Sequence, residues 1–260
     1  MLVKDKIHNA IALLEREQDI HVLYACEAGE RAWGFASPGS LYDVRFIFRR
    51  RYNSYLSLQE GRETCELDME DNIQLSGWDI RKALRLFYKS NVPLYEWLQS
   101  PVVYEEDPGF ADELRKLRTG YFSRRAGCHH YLSIATNTYH ADLKGEKVPI
   151  KSYLYALRPL LACLWIIEKE EPPPMDIGSL RELIPDVQGQ QAIDELIAKV
   201  ATHPADTMID PIPLLDHFIS GTLKYCQEQC ADIRTAQLPL SKLDELFRSY
   251  VSGELHEDKR

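Results

Sequence analysis

Apolar positions recur with two different periods along this chain, and the changes of period mark out its elements. Over residues 4–15, Ile7, Ala10, Ile11 and Leu14 fall three and four apart, which predicts an amphipathic opening helix. The period then shortens. Residues 21–26 read as a short buried strand, the glycine-bearing stretch after them as a turn, and residues 42–48 set Val44, Phe46 and Phe48 against Asp43, Arg45 and Ile47. Residues 65–75 predict a third strand with polar interruptions. Ser76-Gly77 then leads into a helix over 79–90, where Ile80, Leu84 and Phe87 keep helical spacing and Asp79 is placed to cap free backbone amides. Pro93 and Pro101 punctuate the stretch beyond that helix. From about residue 111 the pattern is almost wholly helical, with segments at 111–118, 122–143, 149–170, 177–184, 189–201, 211–231 and 239–251. Pro172-Pro173-Pro174 is a rigid connector, and Asp107-Pro108-Gly109 is the strongest boundary signal. The expected division is therefore an α/β domain over residues 1–107 and an all-α helical domain over 108–260.

Composition and charge narrow the function classes. The 260 residues carry 31 Lys and Arg against 40 Asp and Glu, so a formal net charge of -9 excludes a general attraction to phosphate backbones or anionic lipid. Any nucleic-acid contact must use a local patch such as Arg45, Arg49, Arg50 and Arg51, for which a solvated strand end is the competing reading. The most apolar stretch, 154–167, is interrupted by Arg158 and Pro159 and falls short of the roughly 20 apolar residues a membrane span requires. No membrane partner is expected. The opening residues lack the basic start, apolar core and cleavage site of an export signal, so cytoplasmic residence is expected. Six cysteines, at 26, 65, 128, 163, 226 and 230, then need no disulfide framework. Cys226 and Cys230 lie one helical turn apart and would need a further ligand such as His217 to bind a metal, so helical core or surface thiols are the simpler expectation. His129-His130 comes with no nucleophile or carboxylate motif and reads as structural.

The most informative window runs from Ala25 to Phe46 and contains Gly29-Glu30, Arg31-Ala-Trp-Gly-Phe35 and Leu41-Tyr-Asp-Val-Arg-Phe46. Beyond it come Leu75-Ser-Gly-Trp-Asp-Ile-Arg-Lys-Ala-Leu84, Ser90-Asn-Val-Pro93, Glu96-Trp-Leu98, Lys151-Ser-Tyr-Leu-Tyr-Ala-Leu-Arg-Pro159 and Pro172-Pro-Pro-Met175. In this order the segments resemble the RNA-repair-associated nucleotidyltransferase family of the DNA polymerase beta superfamily, over most of the chain. The resemblance implies an α/β nucleotidyltransferase-type domain with a short mixed sheet, followed by an all-α helical domain. It also implies two-metal phosphoryl chemistry, in which carboxylates on adjacent strands hold Mg²⁺ to orient a nucleoside triphosphate and an attacking hydroxyl. Asp43 is then the catalytic and metal-binding residue, and Gly29, Glu30, Arg31, Ser40, Lys151 and Tyr155 form the nucleotide-binding set. Lys151 and Tyr155 would contact phosphate and base; alternatively, Tyr153 and Tyr155 pack in the helical core and Lys151 is a solvated helix start.

The chain departs from the family's pattern where the chemistry is concentrated. Glu30 stands at the turn serine, Leu41 at the first strand carboxylate and Gln74 at the third, while Gly39 replaces a loop aspartate; Asp43 alone keeps its place. One aspartate cannot clamp two divalent ions, and a carboxylate about 4 Å from a polyphosphate costs on the order of 1 to 4 kcal/mol. A rearranged site using Glu30 with Glu66, Asp68, Glu70 or Asp71 is the rescue, against an exposed acidic hairpin. The scaffold residues Arg31, Trp33, Gly34, Phe35, Trp78, Arg81, Lys82, Lys151, Tyr155 and Arg158 all match the pattern. The expectation is a catalytically degenerate member serving as a nucleotide-, RNA- or protein-binding or regulatory subunit, with no cofactor. The rival is an active Mg²⁺-dependent nucleotidyltransferase that moves a nucleoside monophosphate to an RNA, protein or small-molecule hydroxyl. A nucleoside triphosphate, an RNA end and a protein partner are the expected partners, and the oligomeric state is left open.

Overall fold

The computed structural model describes residues 2–204, 206–231, 233 and 238–252. Its contacts divide the chain into two compact units, one of Met1–Gly29, Leu41–Tyr121 and Gln237–Arg260, the other of Glu30–Ser40 and Phe122–Ala236. The Asp107-Pro108-Gly109 turn lies inside the first unit, because the helix after it stays with the sheet.

In the first unit, helix α1 (Val3–Gln18) leads into strand β1 (Ile20–Ala28), and β2 (Tyr42–Arg50) runs antiparallel to it. After a single turn, α3 (Tyr52–Tyr55), the chain makes β3 (Thr64–Met69) and β4 (Ile73–Asp79). The third strand read over residues 65–75 is thus two antiparallel strands. Its polar interruption is the turn, where Asp71 and Asn72 take positive φ. Helices α4 (Ile80–Tyr88) and α5 (Val92–Trp97) come next, then a short edge strand β5 (Val103–Glu106) and α6 (Phe110–Tyr121). The sheet order is β3-β4-β2-β1-β5, with β2 and β4 parallel and the other pairs antiparallel. It is the short mixed sheet that the family resemblance implies.

Period-two alternation decides which side chains face which layer. Val44, Phe46 and Phe48 of β2 join Val22, Ile73 and Leu75 beneath Ile7, Ala10, Ile11 and Leu14 of α1. On the opposite face, Ile47 pairs in register with Tyr24 and Trp78. Trp78 packs at a tilt against Trp97 of α5 with ring centroids 4.1 Å apart, and the Tyr24 hydroxyl donates to the Trp97 carbonyl at 2.6 Å. Gly77, read from sequence as leading into the helix, sits within β4: a Cβ there would lie 2.2 Å from the Phe46 ring, so the strand needs glycine to admit that ring. The last described helix, α12 (Ser241–Ser252), returns to this unit and contacts α4 and β2.

The second unit contains α2 (Gly29–Trp33) from Glu30 onward, α7 (Arg124–Asp142), a two-residue strand β6 (Val148–Pro149), α8 (Ile150–Lys169), α9 (Ile177–Leu180), α10 (Val187–Val200), β7 (Met208–Ile209) and α11 (Pro213–Cys230). The helical region expected after residue 111 is present, with the small β6-β7 pair added. Helix α8 is continuous through Pro159 and spans 20 residues, so by length and composition alone it is apolar enough to cross a membrane, contrary to the shorter stretch read from sequence. Its surface is instead buried against α7, α10 and α11.

Candidate functional site

On the sheet, register places the remaining aspartate among neutral or occupied neighbours. Asp43 pairs with Ala28 of β1 and Gln74 of β4, and Gln74 pairs in turn with Asp68 of β3. The Gln74 side-chain amide donates to Asp68 Oδ1 at 2.8 Å, so the third carboxylate position is a neutral amide tied to the hairpin. Leu41 is exposed. Arg45, two residues along the same strand face, brings its Nε to 2.6 Å from Asp43 Oδ1. That pair is close in charge but misaligned, because Oδ1 is buried and has no hydrogen bond of good geometry. Gly29, at φ 61°, belongs to this cluster: a Cβ on it would touch Asp43 Oδ2 at 3.4 Å.

Sequence reasoning missed Glu27, the one acid in β1 and 1% exposed. Its Oε1 accepts the Asp43 amide at 2.9 Å, and its Oε2 accepts the Tyr104 hydroxyl. The acid in a buried strand was the available signal. Both its oxygens are engaged in bracing β1 against β2 and β5. A two-cation site needs several free oxygen ligands. This sheet offers Asp43, already paired with Arg45, so the donors present do not fit two divalent ions. Asp79, as expected, caps α4: its Oδ1 accepts the Arg81 amide and its Oδ2 the Tyr55 hydroxyl, each at 2.8 Å. The acidic residues of 66–71 form the expected hairpin, where Asp71 pairs with Lys6. The basic run lies within and at the end of β2 and is largely occupied. Arg50 donates to the Gln18 and Arg62 carbonyls, and Arg51 pairs with Asp19 at 2.9 Å.

In the helical unit the structure gathers Glu30, Arg31, Ser40, Lys151 and Tyr155 into one cluster. Lys151, at the first turn of α8, is buried, which sets aside its reading as a solvated helix start. Its Nζ lies 2.7 Å from each Glu30 carboxylate oxygen. The Tyr155 hydroxyl, one turn further along α8, donates to Glu30 Oε1, and the Ser40 hydroxyl donates to Oε2. Ser40 is itself held: its Oγ accepts the Ser37 amide at 2.7 Å, and its carbonyl accepts from Arg31 at 2.8 Å. Trp33 and Phe35 meet the Tyr155 ring edge-on at 6.3 and 5.8 Å, and the Arg158 guanidinium lies 4.5 Å over Trp33. Tyr153, by contrast, is a core residue whose hydroxyl donates to Asp216 and accepts the Ile212 amide.

Burial alone would raise the Glu30 pKa, but the donors Lys151, Ser40 and Tyr155 outweigh it and hold the carboxyl below the usual range. Burial and the neighbouring carboxylate push the Tyr155 phenol upward. Glu30 is therefore held as the anion and Tyr155 as the neutral phenol, with the Glu30 carboxylate taking up the Lys151, Ser40 and Tyr155 donors. It is unavailable as a rearranged metal ligand, since both its oxygens are already held.

The chain is similar in sequence to known proteins. A family model described as RlaP, RNA repair pathway DNA polymerase beta family, matches residues 3–249. A Bacillus subtilis (strain 168) protein named YcgL, itself described as uncharacterized, is 36% identical over 251 residues, covering 96% of each chain. A crystal structure of a nucleotidyltransferase-like protein from Exiguobacterium sibiricum 255-15 aligns with 86% of this chain and 74% of its own, at 12% identity and a TM-score of 0.32. With nearly its whole length matched, the chain belongs to the RlaP family, the RNA repair pathway DNA polymerase beta family.

Proposed function

We propose that this chain is a non-catalytic nucleotidyltransferase-fold protein, retained as a binding or regulatory subunit for an RNA end or a protein partner. One observation carries the reading. Both Glu30 oxygens are held by Lys151, Tyr155 and Ser40, so an internal carboxylate occupies the groups that the family resemblance assigns to a nucleotide. A triphosphate entering there must either displace a bidentate ion pair or stand beside a like charge. The substituted positions Leu41 and Gln74 support the same reading from the sheet. Six cysteines with no disulfide among them suit a reducing cytoplasm.

The rival is an active Mg²⁺-dependent nucleotidyltransferase, favoured by the buried Asp43 Oδ1 that lacks an aligned donor. Calorimetry with each of the four nucleoside triphosphates and Mg²⁺ separates the two. The proposal expects no binding heat from the parent chain and measurable triphosphate binding by the Glu30→Ser variant. Magnesium-dependent incorporation of labelled nucleotide that disappears in Asp43→Ala would overturn it.

A further inference from the structure

Four of the six cysteines fall in the helical unit, and the thiols of three of them turn toward one another. Cys128 comes from α7, Cys163 from α8, and Cys226 and Cys230 from successive turns of α11; all four are buried. The sulfurs of Cys128, Cys163 and Cys230 lie within 4.8 Å of one another, and those of Cys163 and Cys230 are 3.6 Å apart. Cys226, one helical turn before Cys230 on α11, is buried beside this group without belonging to it. His217, considered from sequence as a partner for Cys226 and Cys230, is exposed and outside this group.

We propose that Cys128, Cys163 and Cys230 bind a single thiophilic d¹⁰ cation, zinc(II) or copper(I), with Cys226 supplying a fourth sulfur when the ion is zinc. The geometry suits it. Three sulfurs held at about 2.3 Å from one ion stand roughly 3.7 to 4.0 Å apart, close to the 3.6 Å between Cys163 and Cys230 and under the 4.8 Å that bounds all three separations. The donor set is all thiol, which selects soft cations and excludes Mg²⁺ or Ca²⁺, whose ligands are oxygens. Ordinary packing of buried cysteines as small hydrophobes asks only for volume, and three sulfurs from three helices need not converge on one point to supply it. The ligands are 35 and 67 residues apart in pairs, so the site exists only in the folded unit and an ion there ties α7, α8 and α11 together.

The test uses the full chain, purified under reducing and anaerobic conditions and stripped of metal. Titration with Co²⁺ as a zinc probe should give a sulfur-to-cobalt charge-transfer band that saturates at one equivalent, and Zn²⁺ should abolish it. Copper(I), added against a competing chelator, should also bind at one equivalent. X-ray absorption on the loaded chain should count four sulfurs for zinc or three for copper, and the thermal midpoint should rise with the ion. Cys226→Ser should remove one sulfur from the zinc site and leave copper binding intact, while Cys163→Ala should abolish both. Should Cys163→Ala fail to fold, the sulfur count on the parent chain still decides. Fewer than three sulfurs, no charge-transfer band, or undiminished binding by a folded Cys163→Ala variant would overturn the proposal.

Discussion

Glu30 is where a single residue changes what the scaffold can do. Read from sequence, it is an acid misplaced at a phosphate turn; in the folded chain it is a counter-ion. The substitution is legible, but its consequence is not, because its lysine lies 121 residues away and no local pattern joins the two. Truncating the half-buried Glu30 leaves the buried Lys151 without its counter-ion, so Glu30→Ala is expected to lower stability by about 1 to 3 kcal/mol, measurable by denaturant unfolding. Glu30→Ser gives up the same charge but also frees Lys151, Tyr155 and Ser40 for an anion. Relief of like-charge repulsion alone then implies roughly ten-fold or more tighter triphosphate binding by calorimetry. The pair also has a pH signature. A carboxyl held below its unfolded value contributes stability that is fully present above about pH 4.3 and is lost as pH falls through the lowered folded value. Acid unfolding midpoints should show that loss in the parent and not in Glu30→Gln; an unchanged acid limb in the variant would remove Glu30 from the account.

At the scale of elements, period and capping chemistry are legible wherever the segment is long. Helix α1, strand β2 and the run of later helices come directly from apolar spacing. Shorter pieces do not. β5 has four residues, too few for alternation to register, and the β3-β4 turn reads as polar noise because its marker is positive φ at Asp71 and Asn72 rather than a glycine. The carboxylate positions behave similarly. Gln74 is recognisable as a lost acid, whereas its tie to Asp68 needs the strand register. Two substitutions test this layer. Asp79→Ala removes the α4 cap and the acceptor of the Tyr55 hydroxyl, and is expected to cost about 1 to 2 kcal/mol in chemical denaturation, with Asn recovering part of it. Gly77→Ala drives a methyl into the Phe46 ring, and overpacking of that kind costs about 1 to 3 kcal/mol. A Gly77→Ala chain as stable as the parent would show that glycine is there for another reason.

On the scale of the whole molecule, what sequence obscures is which core each segment joins. The switch from mixed to helical periodicity near residue 110 is plain, and it suggests two consecutive domains. Yet residues 30–40 belong with the helical unit, while α6 and α12 belong with the sheet. Nothing local announces this, because an amphipathic helix shows that it has an apolar face and not which surface covers it. The consequence is testable by cutting the chain. A fragment of residues 1–107 loses Phe110, Ala111, Leu114 and Tyr121 of α6 and Leu243, Leu246 and Val251 of α12, all buried. At about 1.5 to 3 kcal/mol for each large buried side chain, their sum rivals the roughly 5 to 15 kcal/mol by which a typical domain is stable. The complementary fragment, 108–260, leaves Lys151 buried without the Glu30 carboxylate. Neither fragment should show the parent's cooperative thermal transition by circular dichroism. A milder cut that removes only residues 238–260 should lower the midpoint while keeping the sheet, since α12 lies against α4 and β2 and leaves the strand pairing untouched. If 1–107 melted cooperatively at the parent's temperature, α6 and α12 would be accessories to the sheet, and the turn at Asp107 would be a true domain boundary.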